Sequence, residues 1–118
     1  MEVLKTASFG VPVLTVTGAV DHLSAEALEE SVQESLEADH GRLLVDLSEC
    51  PYMDSGGLSV LLCAVRDVKG RGWIGLIAPS GNLLRMFEIV GLAANPDVRF
   101  FADRDEATAA LEVRGSDA

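Results

Sequence analysis

Apolar and polar positions along this chain alternate in two rhythms, and the changes from one to the other mark out strands and helices in turn. Val3 to Thr6 and Val11 to Thr17 read as two strands, with Ser8-Phe9-Gly10 as the turn between them. Pro12 has no N–H, so the second strand starts just after it or leaves that position unpaired. From Ser24 the period lengthens: Ala25, Leu28, Val32 and Leu36 form one helical stripe, with Ser24 as cap and Gly41 as stop. Glu29, Glu30, Glu34 and Glu37 fall on its outer side. Leu43-Leu44-Val45-Asp46-Leu47 is the short apolar run expected of a buried strand. Helical spacing returns at Leu58, Leu61, Leu62, Val65 and Val68, which makes Asp54 the N-cap and Ser55 the first helical residue.

The second half repeats the alternation. Lys69-Gly70-Arg71-Gly72 is a loop into a strand from Trp73 to Ile77, and Pro79-Ser80-Gly81-Asn82 starts a helix with Leu83, Leu84, Phe87 and Val90 inward and Gly91 at its end. Val98 to Phe101 is a last strand, and Asp103 with Glu106 opens a helix carrying Ala107, Ala110 and Leu111. The pattern predicts an α/β fold: one domain over residues 1–113, with a mostly parallel, mixed sheet of about five strands and about four helices. Residues 114–118 are expected to be a frayed tail. In such sheets sites gather at the carboxyl ends of the strands. Asp21 follows the second strand and Asp54-Ser55 the third, so the fold would bring them to one rim.

Composition narrows the function. A chain of 118 residues can bury about 65% of its unfolded surface, enough for one core. Although 48% of residues are apolar, no run approaches the roughly 18 that a membrane span requires. Met1-Glu2-Val3-Leu4-Lys5 lacks the basic and long apolar segments of a secretory signal, so a cytoplasmic protein is expected. Nine basic against nineteen acidic residues give a net charge of −10, which opposes nucleic acid and anionic membrane and favours a partner with a basic face. Cys50 and Cys63 form no CxxC, and Cys63, inside the apolar helical stretch, is expected in the core. His22 and His40 stand alone without metal-ligand spacing, so no metal or cofactor is expected.

The candidate chemistry is at Ser55. Taken alone, Asp54-Ser55 is ordinary capping. Yet the first helical turn has N–H groups without intrahelical partners and a positive dipole, so a phosphate on Ser55 would be tolerated, and Gly56 and Gly57 have no side chains to hide it. Met53-Asp54-Ser55-Gly56-Gly57 is not the G-x-S-x-G elbow of a serine hydrolase, and His22, though able to reach the same rim, reads as exposed and idle. The phosphate-binding motifs G-x-x-x-x-G-K-[ST] and G-x-G-x-x-G are both missing. A binding protein is expected, not an enzyme.

From Gly18 to Leu92 the chain resembles the STAS domain, the module of sulfate transporter tails and of anti-sigma factor antagonists. Three ordered segments carry the likeness: Gly18-Ala19-Val20-Asp21-His22-Leu23-Ser24-Ala25; the strand Leu43 to Leu47 with Met53-Asp54-Ser55-Gly56-Gly57-Leu58; and Leu84-Arg85-Met86-Phe87-Glu88-Ile89-Val90-Gly91-Leu92. The resemblance implies that Ser55 is the serine a partner kinase phosphorylates, and that Asp21, His22, Ser24, Asp54, Ser55, Gly56 and Gly57 form the docking rim. It implies an anti-sigma factor antagonist: the unphosphorylated form binds an anti-sigma factor with serine kinase activity and frees a sigma factor, and a serine phosphatase resets the switch. The free protein would be a monomer or weak dimer. A scaffold subunit of a large STAS assembly, or a cytoplasmic subunit of a lipid or anion transporter, are the alternatives. Two positions depart from the family pattern: Gly56 stands where a second serine or threonine is usual, and Ala19 where many members are acidic.

Overall fold

The computed structural model describes residues 1–38 and 41–117, with side chains given as far as Glu112; His40 therefore lies outside the described residues. β1 (Glu2–Ser8) and β2 (Val11–Thr17) form a hairpin, and α1 (Ala25–Ala38), β3 (Arg42–Glu49), α2 (Ser55–Val68), β4 (Trp73–Ile77), α3 (Gly81–Ile89), β5 (Val98–Phe101) and α4 (Arg104–Asp117) follow. One turn of 3₁₀ helix, Leu92–Ala94, links α3 to β5. The strands lie in the order β1-β2-β3-β4-β5. β1 pairs antiparallel with β2, and β2 through β5 are parallel. The hairpin turns at Phe9 (φ 49°) and Gly10 (φ 80°), the double left-handed conformation that matches strand twist. Pro12 lies in β2 ahead of Val13, the first residue paired with β3, so its missing N–H interrupts no bond to that neighbour.

Alternation along β3 assigns the two faces of the sheet. Leu43, Val45 and Leu47 enter the larger core, with Leu28 and Val32 of α1, Leu61 and Val65 of α2 and Phe87 of α3. Leu44 points the other way, into a smaller cluster with Trp73, Ile77, Phe101 and, from α4, Ala107 and Leu111. Gly75 lets that second face close: a Cβ there would stand 2.5 Å from Leu44 Cδ2. Among the described residues no helix is long and apolar enough to cross a membrane.

Two expectations need correction. Cys63 is exposed, not in the core. α2 buries Val60, Leu61, Ala64 and Val65, and Cys63 falls on the outer stripe, four residues beyond exposed Ser59 and eight beyond exposed Ser55. Val90 is exposed because α3 ends at Ile89 and the chain reverses at Gly91 (φ 85°), so that Leu92 takes the buried place instead. Ser24 stands directly before α1, where its carbonyl accepts from the Leu28 N–H, and Asp21 braces the turn ahead of it: the Asp21 carbonyl accepts from the Ala25 N–H and its Oδ1 from the Ser24 N–H, while Ser24 Oγ accepts in return from the Asp21 N–H.

Candidate functional site

Strand pairing builds the rim that carries Ser55. The β2–β3 register slips by one residue between Thr15↔Asp46 and Thr17↔Glu49, a bulge, yet the two chains stay zipped beyond the strands. The Gly18 N–H donates to the Glu49 carbonyl, the Val20 N–H to the Tyr52 carbonyl, and the Asp54 N–H to the Val20 carbonyl (2.9 Å). Val20 and Met53 form the last bridge, both fully buried. Asp21 follows one and Asp54 the other, so the meeting expected from topology alone is made by these bonds.

Asp54 then fastens the rim together. Its Oδ1 accepts from the N–H groups of Gly56 (2.8 Å) and Gly57 (3.3 Å), which caps α2, and its Oδ2 accepts from the His22 N–H (3.0 Å) of the other loop. The His22 imidazole is 3.8 Å from the same carboxylate and largely open to solvent. The glycines permit this closeness. A Cβ on Gly56 would lie 3.0 Å from His22 Cα, and one on Gly57 would lie 2.7 Å from both Met53 Cγ and Val20 Cγ1. A side chain at Gly56 would require the His22 loop to give by a few tenths of an ångström.

Ser55 itself is exposed at the first position of α2. Its carbonyl accepts from Ser59 Oγ (2.7 Å), which ties the next hydroxyl on that stripe back to the helix. The free amides expected to receive a phosphate there are not all free: Asp54 already holds those of Gly56 and Gly57. Asp21 is exposed too, and its carboxyl is held below the usual value chiefly by the N–H and hydroxyl of Ser24, then by the Leu23 N–H and the His22 charge. Thus the seven residues expected at the rim lie on two bonded loops and one helix start. Among the described residues no three His, Cys, Asp or Glu side chains are grouped to hold a metal.

Two apolar side chains on this rim escaped the sequence reading. Leu23 is 80% exposed and Tyr52 53% exposed, one in the Asp21–Ser24 turn and the other beside the Val20–Met53 bridge. The available signal was negative: Leu23 is off the Ala25, Leu28, Val32 stripe, and Tyr52 alternates with buried Met53.

On the opposite face of the sheet, Asp46 accepts from Arg104 Nε (3.1 Å), and Arg104 Nη2 donates to Thr15 Oγ1 (2.7 Å), which pins the start of α4 to β2 and β3. Burial pushes the Asp46 carboxyl up, but the bonds from Ser48 and Arg104 outweigh it and hold the value below the usual one.

Comparison with known proteins gives a consistent set of likenesses. Residues 3–99 match the family model described as "Mlab, STAS domain". The anti-sigma-F factor antagonist RsfB of Mycobacterium tuberculosis is 30% identical over 83 residues, 70% of this chain and 68% of that protein. An anti-sigma-B factor antagonist of Listeria monocytogenes is 34% identical over 79 residues, 66% of this chain and 69% of the relative. The crystal structure of an anti-sigma factor antagonist from Mycobacterium paratuberculosis superposes with a TM-score of 0.80 at 25% identity, covering 94% of this chain and 93% of the other.

Proposed function

The chain belongs to the STAS domain family, and from that membership and the rim geometry we propose that it is an anti-sigma factor antagonist switched by phosphorylation of Ser55. Unphosphorylated, the rim of Asp21, His22, Ser24, Asp54, Ser55, Gly56 and Gly57 docks on an anti-sigma factor with serine kinase activity, and the sigma factor it held is released. The kinase transfers the γ-phosphoryl group of ATP to Ser55 Oγ, with ADP leaving and the hydroxyl proton passing to the kinase. A serine phosphatase reverses this. The protein acts in the cytoplasm as a binding partner and performs no catalysis of its own.

The observation that carries the reading is the exposed Ser55 hydroxyl beside an Asp54 carboxylate whose bonds join both loops of the rim. A phosphate arriving there brings about −1.5 to −2 charges next to Asp54 and Asp21. Because Asp54 occupies the Gly56 and Gly57 amides, the helix start has little left to neutralise them, and the charge faces the partner. Repulsion and desolvation worth roughly 3 kcal/mol would weaken the complex about 150-fold. Leu23 and Tyr52 supply exposed apolar anchors on the same rim.

The test is phosphorylation by the cognate anti-sigma factor with ATP, followed by fragment mass spectrometry. The phosphate is expected on Ser55 alone, since Gly56 offers no second acceptor and the Ser59 hydroxyl is bonded to the Ser55 carbonyl. Phosphate on Ser59 or Ser24, or no phosphate at all, overturns the proposal.

A further inference from the structure

His22 meets the residue on either side of Ser55. Its N–H donates to Asp54 Oδ2 (3.0 Å), and a Cβ on Gly56 would lie 3.0 Å from its Cα and 3.2 Å from its own Cβ. Its Nδ1 stands 3.8 Å from Asp54 Oδ2, beyond hydrogen-bond reach, so the backbone fixes the imidazole at the start of α2 while both ring nitrogens stay available. The side chain is 79% exposed. No other cation is built into this place: residues 18–25 and 50–58, which supply the two loops and the first turn of α2, contain no lysine or arginine. The charges around the ring are acidic, Asp21 and Asp54 on the loops and Glu26 in the first turn of α1.

A phosphate on Ser55 would give that ring a partner. The second ionisation of a phosphoserine falls near pH 6 and that of an ordinary imidazole near 6.5, so close to neutral pH each group favours the charged form of the other. Asp54 already takes the Gly56 and Gly57 amides, which leaves the His22 ring as the cationic donor at hand for the phosphate oxygens. We infer that His22 is the internal counter-ion of phosphorylated Ser55 and makes the strength of the switch depend on pH. This rests on Ser55 being the residue that is phosphorylated. The imidazolium offsets at most one of the about −1.5 to −2 charges that arrive, so the rim still becomes more negative and the partner is still repelled. As pH rises the ring loses its proton, the offset disappears and the phosphate is fully dianionic. Phosphorylation therefore weakens the complex more at about pH 8 than at about pH 6.5.

The test uses the full chain with phosphoserine encoded at position 55, which takes the kinase out of the measurement. Phosphorus NMR follows the second ionisation of the phosphate, and the ring protons of His22 follow the imidazole. With His22 in place the phosphate should give up its last proton about threefold more readily than in a His22→Gln chain. His22→Lys, which carries a charge that does not titrate near neutral pH, should restore the readier ionisation. The His22 ring itself should titrate at higher pH in the phosphoserine chain than in the serine chain, a comparison that needs no substitution at His22. Equal phosphate titrations in the three chains, or a ring that titrates alike with and without the phosphate, would overturn the inference and leave Ser55 as the acceptor. A kinase that leaves Ser55 unmodified would instead overturn the proposed switch, while the encoded phosphoserine still decides whether the ion pair forms.

Discussion

A single carboxylate decides how the Ser55 turn behaves. Asp54 accepts three backbone N–H bonds, two within its own helix and one from the His22 loop, so it is the cap and the cross-loop tie at once. Ser55 contributes no side-chain bond to that arrangement, and its substitution should therefore separate binding from stability. Ser55→Ala should change unfolding free energy by less than about 1 kcal/mol in urea titrations and bind the anti-sigma factor without regard to ATP. Ser55→Asp should remain folded, since an acid is favourable at a helix start, and should lose the complex. Tight binding by a folded Ser55→Asp protein would show that charge is not the switch. Asp21 differs, because its carboxylate holds the turn ahead of α1 as well as facing the rim. Its folded pKa is lowered, so its contribution to stability is present above the ordinary value and lost as pH falls through the folded one. Asp21→Asn keeps an oxygen acceptor but removes the charge. Phosphorylation rate or partner affinity should fall while thermal unfolding at neutral pH moves little, and unchanged binding would remove Asp21 from the docking rim.

Among the elements, α2 was the most legible in the sequence, because its cap, its glycines and its apolar period all say the same thing at neighbouring positions. Ends and faces were harder. Cys63 is apolar by composition but sits on the outer stripe, and only the angle of α2 on the sheet decides which side is buried. Val90 continues the α3 pattern in sequence, yet Gly91 reverses the chain first. The start of α1 after Ser24 was legible, but the reciprocal bonds of Asp21 and Ser24 that brace the turn before it were not. No local signal joins Asp46 to Arg104, 58 residues apart, although their ion pair fixes α4 across β2 and β3. Arg104→Ala should strand the buried Asp46 carboxylate and destabilise the fold by about 1–2 kcal/mol at neutral pH, a figure kept modest because Arg104 is itself half exposed. The sign of its pH dependence follows from the lowered Asp46 value. The pair stabilises above the ordinary carboxylate range, and that contribution is lost as pH falls through the folded pKa. Urea unfolding of wild type and Arg104→Ala should thus converge in acid, and a gap that widens there would refute the assignment.

The whole molecule presents two rims of different character within an acidic field. The carboxyl-end rim brings Asp21, Asp54 and the Ser55 hydroxyl together with exposed Leu23 and Tyr52, and the opposite rim brings Arg66 and Lys69 to an aliphatic cleft. A net charge of −10 acts on a partner of the Ser55 rim before any contact forms. For a kinase that presents a basic face to the Ser55 rim, the field accelerates encounter, whereas the apolar anchors and the local bonds govern how long the complex lasts. Salt and substitution should therefore act on different rate constants. Raising ionic strength about tenfold should slow association with the anti-sigma factor by roughly an order of magnitude and leave dissociation nearly unchanged, because charges beyond about one Debye length are screened. Leu23→Ala with Tyr52→Ala should do the reverse, speeding dissociation with little effect on association. Stopped-flow measurement of both constants decides the matter. If salt slows neither step, the acidic field serves solubility alone, and if the double alanine variant dissociates like the wild type, the partner does not rest on the apolar part of this rim.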